Sequence, residues 1–150
     1  MSRAMAPRTP ATAYDAVTYG NEPDLAIDEF IDLLRRSTLA ERRPVADRGR
    51  IARMLAHADI TLCARGASGL LVGVSRALTD YAYCCYLSDL AVDKACQGQG
   101  IGKRLIEETR TAAGGALTTT LLLSAPTAMT FYQGITMPNA NNCFLYRREK

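Results

Sequence analysis

Apolar positions recur along this chain with two periods, and the switching between them lays out its elements. Tyr14 to Tyr19 predicts a first strand. From Pro23 or Asp24 the period lengthens, and Ile27, Phe30, Ile31 and Leu34 form one stripe of a helix reaching about Arg36. A loop over Ser37 to Pro44 carries Glu41, Arg42 and Arg43, and a second helix follows from about Asp47 to Ala58 with Ile51, Met54 and Leu55 apolar. Asp59 stands at the junction with a strand over Ile60 to Ala64. Gly66-Ala67-Ser68-Gly69 then makes a hairpin turn into Leu70 to Leu78. A short turn at Thr79-Asp80 leads to a third consecutive strand, Tyr81 to Val92. The helical pattern resumes at Ile101, Leu105, Ile106 and Ala112 and stops at Gly114-Gly115. Ala116 to Ser124 is β-rich, and Pro126 opens a short helix carrying Ala128, Met129, Phe131 and Tyr132. Met137 to Asn142 is a loop, and Cys143 to Arg147 reads as a final strand. Strand, two helices, three strands, helix, strand, helix, strand is the order of an α/β sandwich around one mixed sheet.

Composition narrows the class. At 150 residues the chain is long enough for one domain that buries roughly two-thirds of its unfolded surface. We expect a frayed tail at residues 1–12 and a single domain over 13–150. Hydrophobic content of 48% with 22% charged residues describes a globular chain. A net charge of +3 does not argue for a nucleic-acid partner. No apolar run reaches membrane-spanning length and the first residues lack a secretory apolar core, so no membrane partner is expected. The five cysteines, Cys63, Cys84, Cys85, Cys96 and Cys143, are odd in number and lack C-x-x-C spacing. They read as reduced thiols of a cytoplasmic protein. His57 is the only histidine, so no metal site and no serine triad is expected. Packing is the better reading of Cys84, Cys85 and Cys96, because no basic partner stands beside any of them.

The chemistry concentrates where the third strand meets its helix. Gly98, Gly100 and Gly102 alternate between Val92 and Leu105. A strand feeding a glycine-rich turn into a helix can grip an anion, since the first N–H groups of the helix converge and its dipole favours negative charge. Lys103 and Arg104 sit in that first turn, where cations ordinarily cost about 0.3–1 kcal/mol each and a bound phosphate would reverse the penalty. The dinucleotide motif G-x-G-x-x-G fails because Lys103 stands at its last glycine. The P-loop motif fails at Gln97 and Arg104. Q-x-x-G-x-G fits, as Gln97, Gly100 and Gly102, after Leu90 and Val92 at the strand end. This resembles the acyl-CoA motif of the GNAT superfamily of N-acetyltransferases. The same turn with nothing bound is the competing reading.

A second segment carries the resemblance. Ala128 to Met137, A-M-T-F-Y-Q-G-I-T-M, is similar to the A-x-x-F-Y-x-x-x-G-F segment that follows the fifth strand in many of these enzymes. Thr136 departs from it, occupying the usual glycine position, where positive φ strains a β-branched residue. Either the turn uses Gly134 instead or the loop differs from the family's. The two matches span roughly Tyr81 to Tyr146.

The resemblance implies a GNAT-like single α/β domain, with helices flanking a mixed, mostly antiparallel sheet. It implies acetyl-CoA as cosubstrate, held by Leu90, Ala91, Val92, Gln97, Gly98, Gln99, Gly100, Ile101, Gly102 and Lys103. The acceptor would be a primary amine of a small molecule or peptide, attacking directly in a ternary complex. Backbone N–H near Leu90 would serve the carbonyl oxygen, and Tyr132 would protonate the departing thiolate. Tyr132 also reads as a half-buried aromatic beside Phe131. Asp89 is the nearest candidate base; Asp80, Glu22 and Glu41 are remoter, and water could take the proton. A strand-end carboxylate held by hydrogen bonds is the other reading of Asp89. Arg35, Arg36, Arg42 and Arg43 could favour an acidic acceptor or simply form a solvated face. A homodimer is compatible with this reading. A non-catalytic acyl-CoA module would keep the glycine loop and dispense with Tyr132. A DNA- or protein-interaction domain would use Arg35 to Arg53 and leave the loop unexplained.

Overall fold

Among the described residues, five strands lie side by side in the order in which the chain makes them. The computed structural model describes residues 16–150, so the expected tail and the start of the strand at Tyr14 lie outside the described residues. β1 (Thr18–Asn21), β2 (Ile60–Arg65), β3 (Leu71–Thr79) and β4 (Cys84–Val92) pair antiparallel, and β5 (Thr119–Leu121) joins β4 in parallel. α1 (Ile27–Arg36) and α2 (Arg48–Ala56) intervene between β1 and β2, α3 (Ile101–Ala112) crosses from β4 to β5, and α4 (Met129–Gly134) follows β5. The chain is a single α/β domain around the one mixed sheet that its pattern predicts, and the sheet is mostly antiparallel, as the resemblance implies.

Local chemistry explains these helices. α1 places Asp28 and Glu29 in its first turn and Arg35 and Arg36 in its last, matching the helix dipole at both ends. Asp47 caps α2 by accepting from the Arg50 N–H at 3.0 Å. The sheet's alternating side chains then feed two cores. On one face Phe30, Leu33, Leu34 and Ile51 are fully buried with Cys63, Val74 and Ala91. Each such large side chain contributes about 1.5–3 kcal/mol of burial. On the other face Leu62, Ala64 and Val72 meet Ile101 and Leu105 of α3. Gly73 lets α3 approach: a Cβ there would lie 3.0 Å from Leu105 and 3.1 Å from Ile101. Ser75 and Thr109 hydroxyls join β3 to α3 across 2.7 Å in this buried layer.

Three expectations are corrected. β4 begins at Cys84 rather than Tyr81, because Asp80 accepts from the N–H groups of Ala82, Tyr83 and Cys84 and Tyr81 turns at φ 61°. β5 is three residues long, since Gly115–Leu117 coils into a 3-10 turn first. Cys143 to Arg147 forms no strand. Its residues favour strands, but the loop from Pro138 to Asn142 does not bring them to a sheet edge, and without a ladder partner propensity is not enough. No helix among the described residues is long and apolar enough to cross a membrane.

Candidate active site

The outer edge of β4 is the structural centre of the site. Its ladder to β5 covers only Cys84 to Tyr86 and then ends, so from Leu87 to Val92 no strand pairs with that edge among the described residues. The ladder to β3 changes register between Arg76 and Ala77, opposite Asp89 and Leu87, which leaves Ser88 as the extra residue of a bulge. Beyond the bulge, Asp93 N–H donates to the Val72 carbonyl at 2.8 Å. That bond fixes the alternation: Val92 and Leu90 stand in non-hydrogen-bonded pairs with Gly73 and Ser75. Their backbone N–H and C=O groups therefore face the open edge. Ala91, between them, is turned away, with its backbone toward Val74 and its side chain only 3% exposed in the α1 core.

A loop of tied residues carries this edge into α3. Asp93, buried, accepts from the Ala95 N–H at 2.9 Å and pairs with Arg36 of α1. Gln97 folds back so that its Nε2 donates to the Val92 carbonyl at 3.1 Å, taking up one acceptor of the outer edge. Gly98 and Gly100 both have φ of 82°, and a Cβ on either would meet open space. Gly100 caps α3 with no side chain to satisfy the first N–H groups; the first helical bond runs from Arg104 N–H to the Gly100 carbonyl at 3.0 Å. The N–H groups of Ile101, Gly102 and Lys103 thus converge on open space, as an anion site requires. Gln99 is exposed in the same loop, and the Ile101 side chain is core, leaving only its N–H to the site.

Gly102 does a different task from its neighbours. It is helical, and a Cβ there would lie 2.9 Å from Phe131 Cζ. Its lack of a side chain seats α4 against α3, and α4 carries Tyr132. Lys103 and Arg104 need no anion to explain them. Arg104 donates to Glu108 at 2.7 Å and stacks 4.8 Å above the Tyr19 ring, and Lys103 lies 4.0 Å from Glu107.

Tyr132 is half-buried, its ring 5.0 Å from Phe131 at 72°. Burial pushes its phenol above the ordinary value, with the Arg43 guanidinium pulling the other way. It is a protonated donor at neutral pH. Thr136 itself makes the turn: its φ is 57°, its N–H donates to the Gln133 carbonyl at 3.0 Å, and the Met137 N–H donates to the Tyr132 carbonyl at 3.1 Å. These two bonds make a Schellman motif with threonine at the glycine position. Gly134 is not the turn residue.

Asp89 is 0% exposed, and both its oxygens are taken: Arg43 Nε holds one and Arg76 Nε the other. Arg43 also donates to the Ser88 carbonyl at 2.9 Å, and Arg76 to the Ser88 hydroxyl at 3.0 Å. Both carboxylate oxygens are thus occupied by guanidinium N–H groups, and neither is left open to a substrate. This geometry fits the other reading of Asp89, a strand-end carboxylate held by hydrogen bonds, and it pins the bulge. Asp80 is spent on its turn, where three backbone N–H groups hold its carboxyl down at about 2. Glu22 pairs with Arg65. The two arginines were legible only as a charged run, because their targets lie 46 and 13 positions away. Beside the bulge a cavity of about 390 Å³ is lined by Arg43, Arg76, Tyr86 and Ser88 together with Glu41. All five cysteines are free, and burial pushes the Cys63 thiol up to about 12. Among the described residues no three His, Cys, Asp or Glu side chains cluster as metal ligands.

Known proteins agree with this architecture. A family model described as an acetyltransferase (GNAT) domain matches residues 52–135. No curated protein sequence matches the chain. Among solved structures, a GNAT family acetyltransferase from Streptococcus pneumoniae is 18% identical, covers 89% of this chain and 99% of its own, and superposes with a TM-score of 0.62. An aminoglycoside acetyltransferase from an uncultured soil metagenomic sample, in complex with sisomicin, is 20% identical over 89% of this chain and 97% of its own, with a TM-score of 0.66. An aminoglycoside N-acetyltransferase in complex with CoA is 14% identical over 95% of this chain and 100% of its own, with a TM-score of 0.68. At these identities the structures speak for the fold. The family model spans more than half of the chain, from α2 through the glycine loop to α4, and the chain belongs to the GNAT acetyltransferase family.

Proposed function

We propose that the protein transfers an acetyl group from acetyl-CoA to a primary amine of a small molecule or peptide, by direct attack within a ternary complex. The observation that carries this reading is the open outer edge of β4, which leads from the bulge at Ser88 straight to the glycine-capped end of α3. An amide-bearing arm can pair with the Leu90 and Val92 backbone as a strand would. Phosphates at its far end fit the N–H groups of Ile101, Gly102 and Lys103, and no Cβ at Gly98 or Gly100 stands in their way. The bound cosubstrate supplies the thioester.

The chain's own groups then have separate tasks. Leu90 N–H is an oriented donor for the thioester carbonyl oxygen, a type of contact that strengthens as charge develops there. The amine nitrogen forms its bond to the carbonyl carbon, the carbon–sulfur bond breaks, and the amine's proton leaves to water. Tyr132 gives its proton to the sulfur and recovers one from solvent. Asp89 holds Arg43 and Arg76 against Ser88 and so keeps the bulge, and with it Leu90, in place. Five reduced thiols and a need for acetyl-CoA accord with a cytoplasmic location.

The test is a thiol-release screen at saturating acetyl-CoA over amines, amino acids, polyamines, antibiotics and peptides. Release above the acceptor-free rate, with a stoichiometric N-acetyl product, is expected for at least one acceptor class. Tight acetyl-CoA binding with no release for any acceptor would instead describe a non-catalytic CoA-binding module.

A further inference from the structure

We infer that the acceptor is an anionic amine, one that carries a carboxylate or phosphate beside its amino group, and that the cavity at the β4 bulge recognises that charge. This rests on the acetyl-transfer reading above and deepens it. Around the cavity stand the guanidinium groups of Arg42, Arg43, Arg50 and Arg76, with Arg148 and Lys150 closing one side, against one acidic side chain, Glu41. Arg43 and Arg76 share the buried Asp89 behind the wall. Arg42, Arg50, Arg148 and Lys150 form no ion pair among the described residues. Arg50 donates to the main-chain oxygen of Lys150 at 3.4 Å and, among the described residues, to no acidic side chain. This excess of unpaired cations is concentrated where Ser88 forms the cavity wall, two residues before Leu90.

The chemistry of the site separates acceptor classes. A polycationic amine would have to bring several ammonium groups against these guanidinium groups with one acidic side chain, Glu41, to meet them, and like charges placed together are strongly disfavoured. A carboxylate or phosphate finds planar, bidentate donors instead. The same positive field also lowers the pKa of an amine placed beside it, since nearby like charge disfavours the ammonium form. An amine held in this field can therefore release its proton to water, or to Glu41 on the same cavity wall. Arginine-rich walls thus do two tasks, anchoring one end of the acceptor and favouring the reactive form of the other.

The experiment compares acceptors matched except for charge: α-amino acids and acidic dipeptides, each beside its carboxamide, with sisomicin as the polycation. The carboxylate member of a productive pair should have a kcat/KM higher by about tenfold or more, the scale of one charge-assisted hydrogen bond. Raising the salt should erode that ratio. Arg42→Gln and Arg50→Gln, which leave the Asp89 contacts intact, should raise KM for the carboxylate about tenfold with kcat little changed and KM for the carboxamide unmoved. Carboxamides or sisomicin matching or exceeding the carboxylates would overturn the inference and leave acetyl transfer standing. Should no acceptor turn over while acetyl-CoA binds, acetyl transfer itself fails. The charge assignment is then decided by thermal shift of the acetyl-CoA complex with succinate and with succinamide. A shift for succinate alone, lost in Arg50→Gln, supports it, and equal shifts overturn it.

Discussion

Thr136 should be a place where one substitution stabilises the protein, and its magnitude can be worked from the turn it occupies. The residue holds φ at 57° as the C′ position of α4, with the two bonds of a Schellman motif in place on either side. An L-residue in this left-handed region costs about 1–2 kcal/mol. The Thr136 hydroxyl donates to the Ile135 carbonyl at 2.7 Å, but it is exposed and exchanges readily with water. Replacement by glycine relieves the strain and costs about 0.5–1 kcal/mol in added unfolded-state freedom. The net gain for Thr136→Gly is about 0.5–1 kcal/mol. For 150 residues the unfolding entropy is about 0.3 kcal/mol/K, so the melting temperature should rise by about 2–3 °C. Reversible thermal unfolding of the unliganded chain, followed by circular dichroism and by calorimetry, measures it. Thr136→Ala keeps a Cβ and should not reproduce the gain. A glycine variant that melts at or below the parental temperature would show that the turn is not strained as described.

Three more outcomes follow from the site and its supports. Tyr132→Phe keeps the ring against Phe131 and removes the donor, so acetyl-CoA affinity should hold while kcat falls by about 10²–10⁴ under conditions where chemistry limits the rate; parental kcat would return the proton to water. Asp89→Asn leaves two guanidinium groups facing each other without their shared charge, and should cost about 3–5 kcal/mol of stability in denaturant unfolding, whereas a loss of kcat with unchanged stability would mark a base. Arg65 holds the Glu22 carboxyl below its usual range through side-chain hydrogen bonds, opposed by burial. A lowered folded-state pKa contributes stability that is present above the unfolded value of 4.5 and is lost as pH falls through the folded one. The stability gap between the parent and Arg65→Met should therefore be wide at pH 7 and narrow on acidification, and a gap independent of pH would refute the pairing.

Which of these residues could be read from the sequence depends on how far apart the interacting groups lie along the chain. The α1 stripe and the glycine loop announce themselves because helix period and backbone freedom are local properties. Asp89 does not. It looks like a strand-end carboxylate until Arg43 and Arg76 arrive from a loop and a neighbouring strand, and only the sheet register sets those meetings. Arg36 and Arg43 read as part of a solvated run for the same reason, although each reaches a buried aspartate. Gly102 belonged to the motif by spacing, yet its physical reason is the Phe131 ring 29 positions later. Cys143 to Arg147 misled in the opposite sense, since strand propensity is realised only where an edge is within reach.

The central claim is that β4's open edge and the capped end of α3 together hold acetyl-CoA. Calorimetric titration of acetyl-CoA into the parent and into Gly100→Asp tests it most directly, with Gly100→Asn as a control because both residues tolerate positive φ. The parent should bind one equivalent. The asparagine variant should fold and bind more weakly. The aspartate, whose charge would sit among the N–H groups of Ile101, Gly102 and Lys103, should lose about 100-fold or more in affinity, on the order of 2.8 kcal/mol. A parent that does not bind acetyl-CoA, or an aspartate variant that binds it as tightly as the parent, would contradict the account.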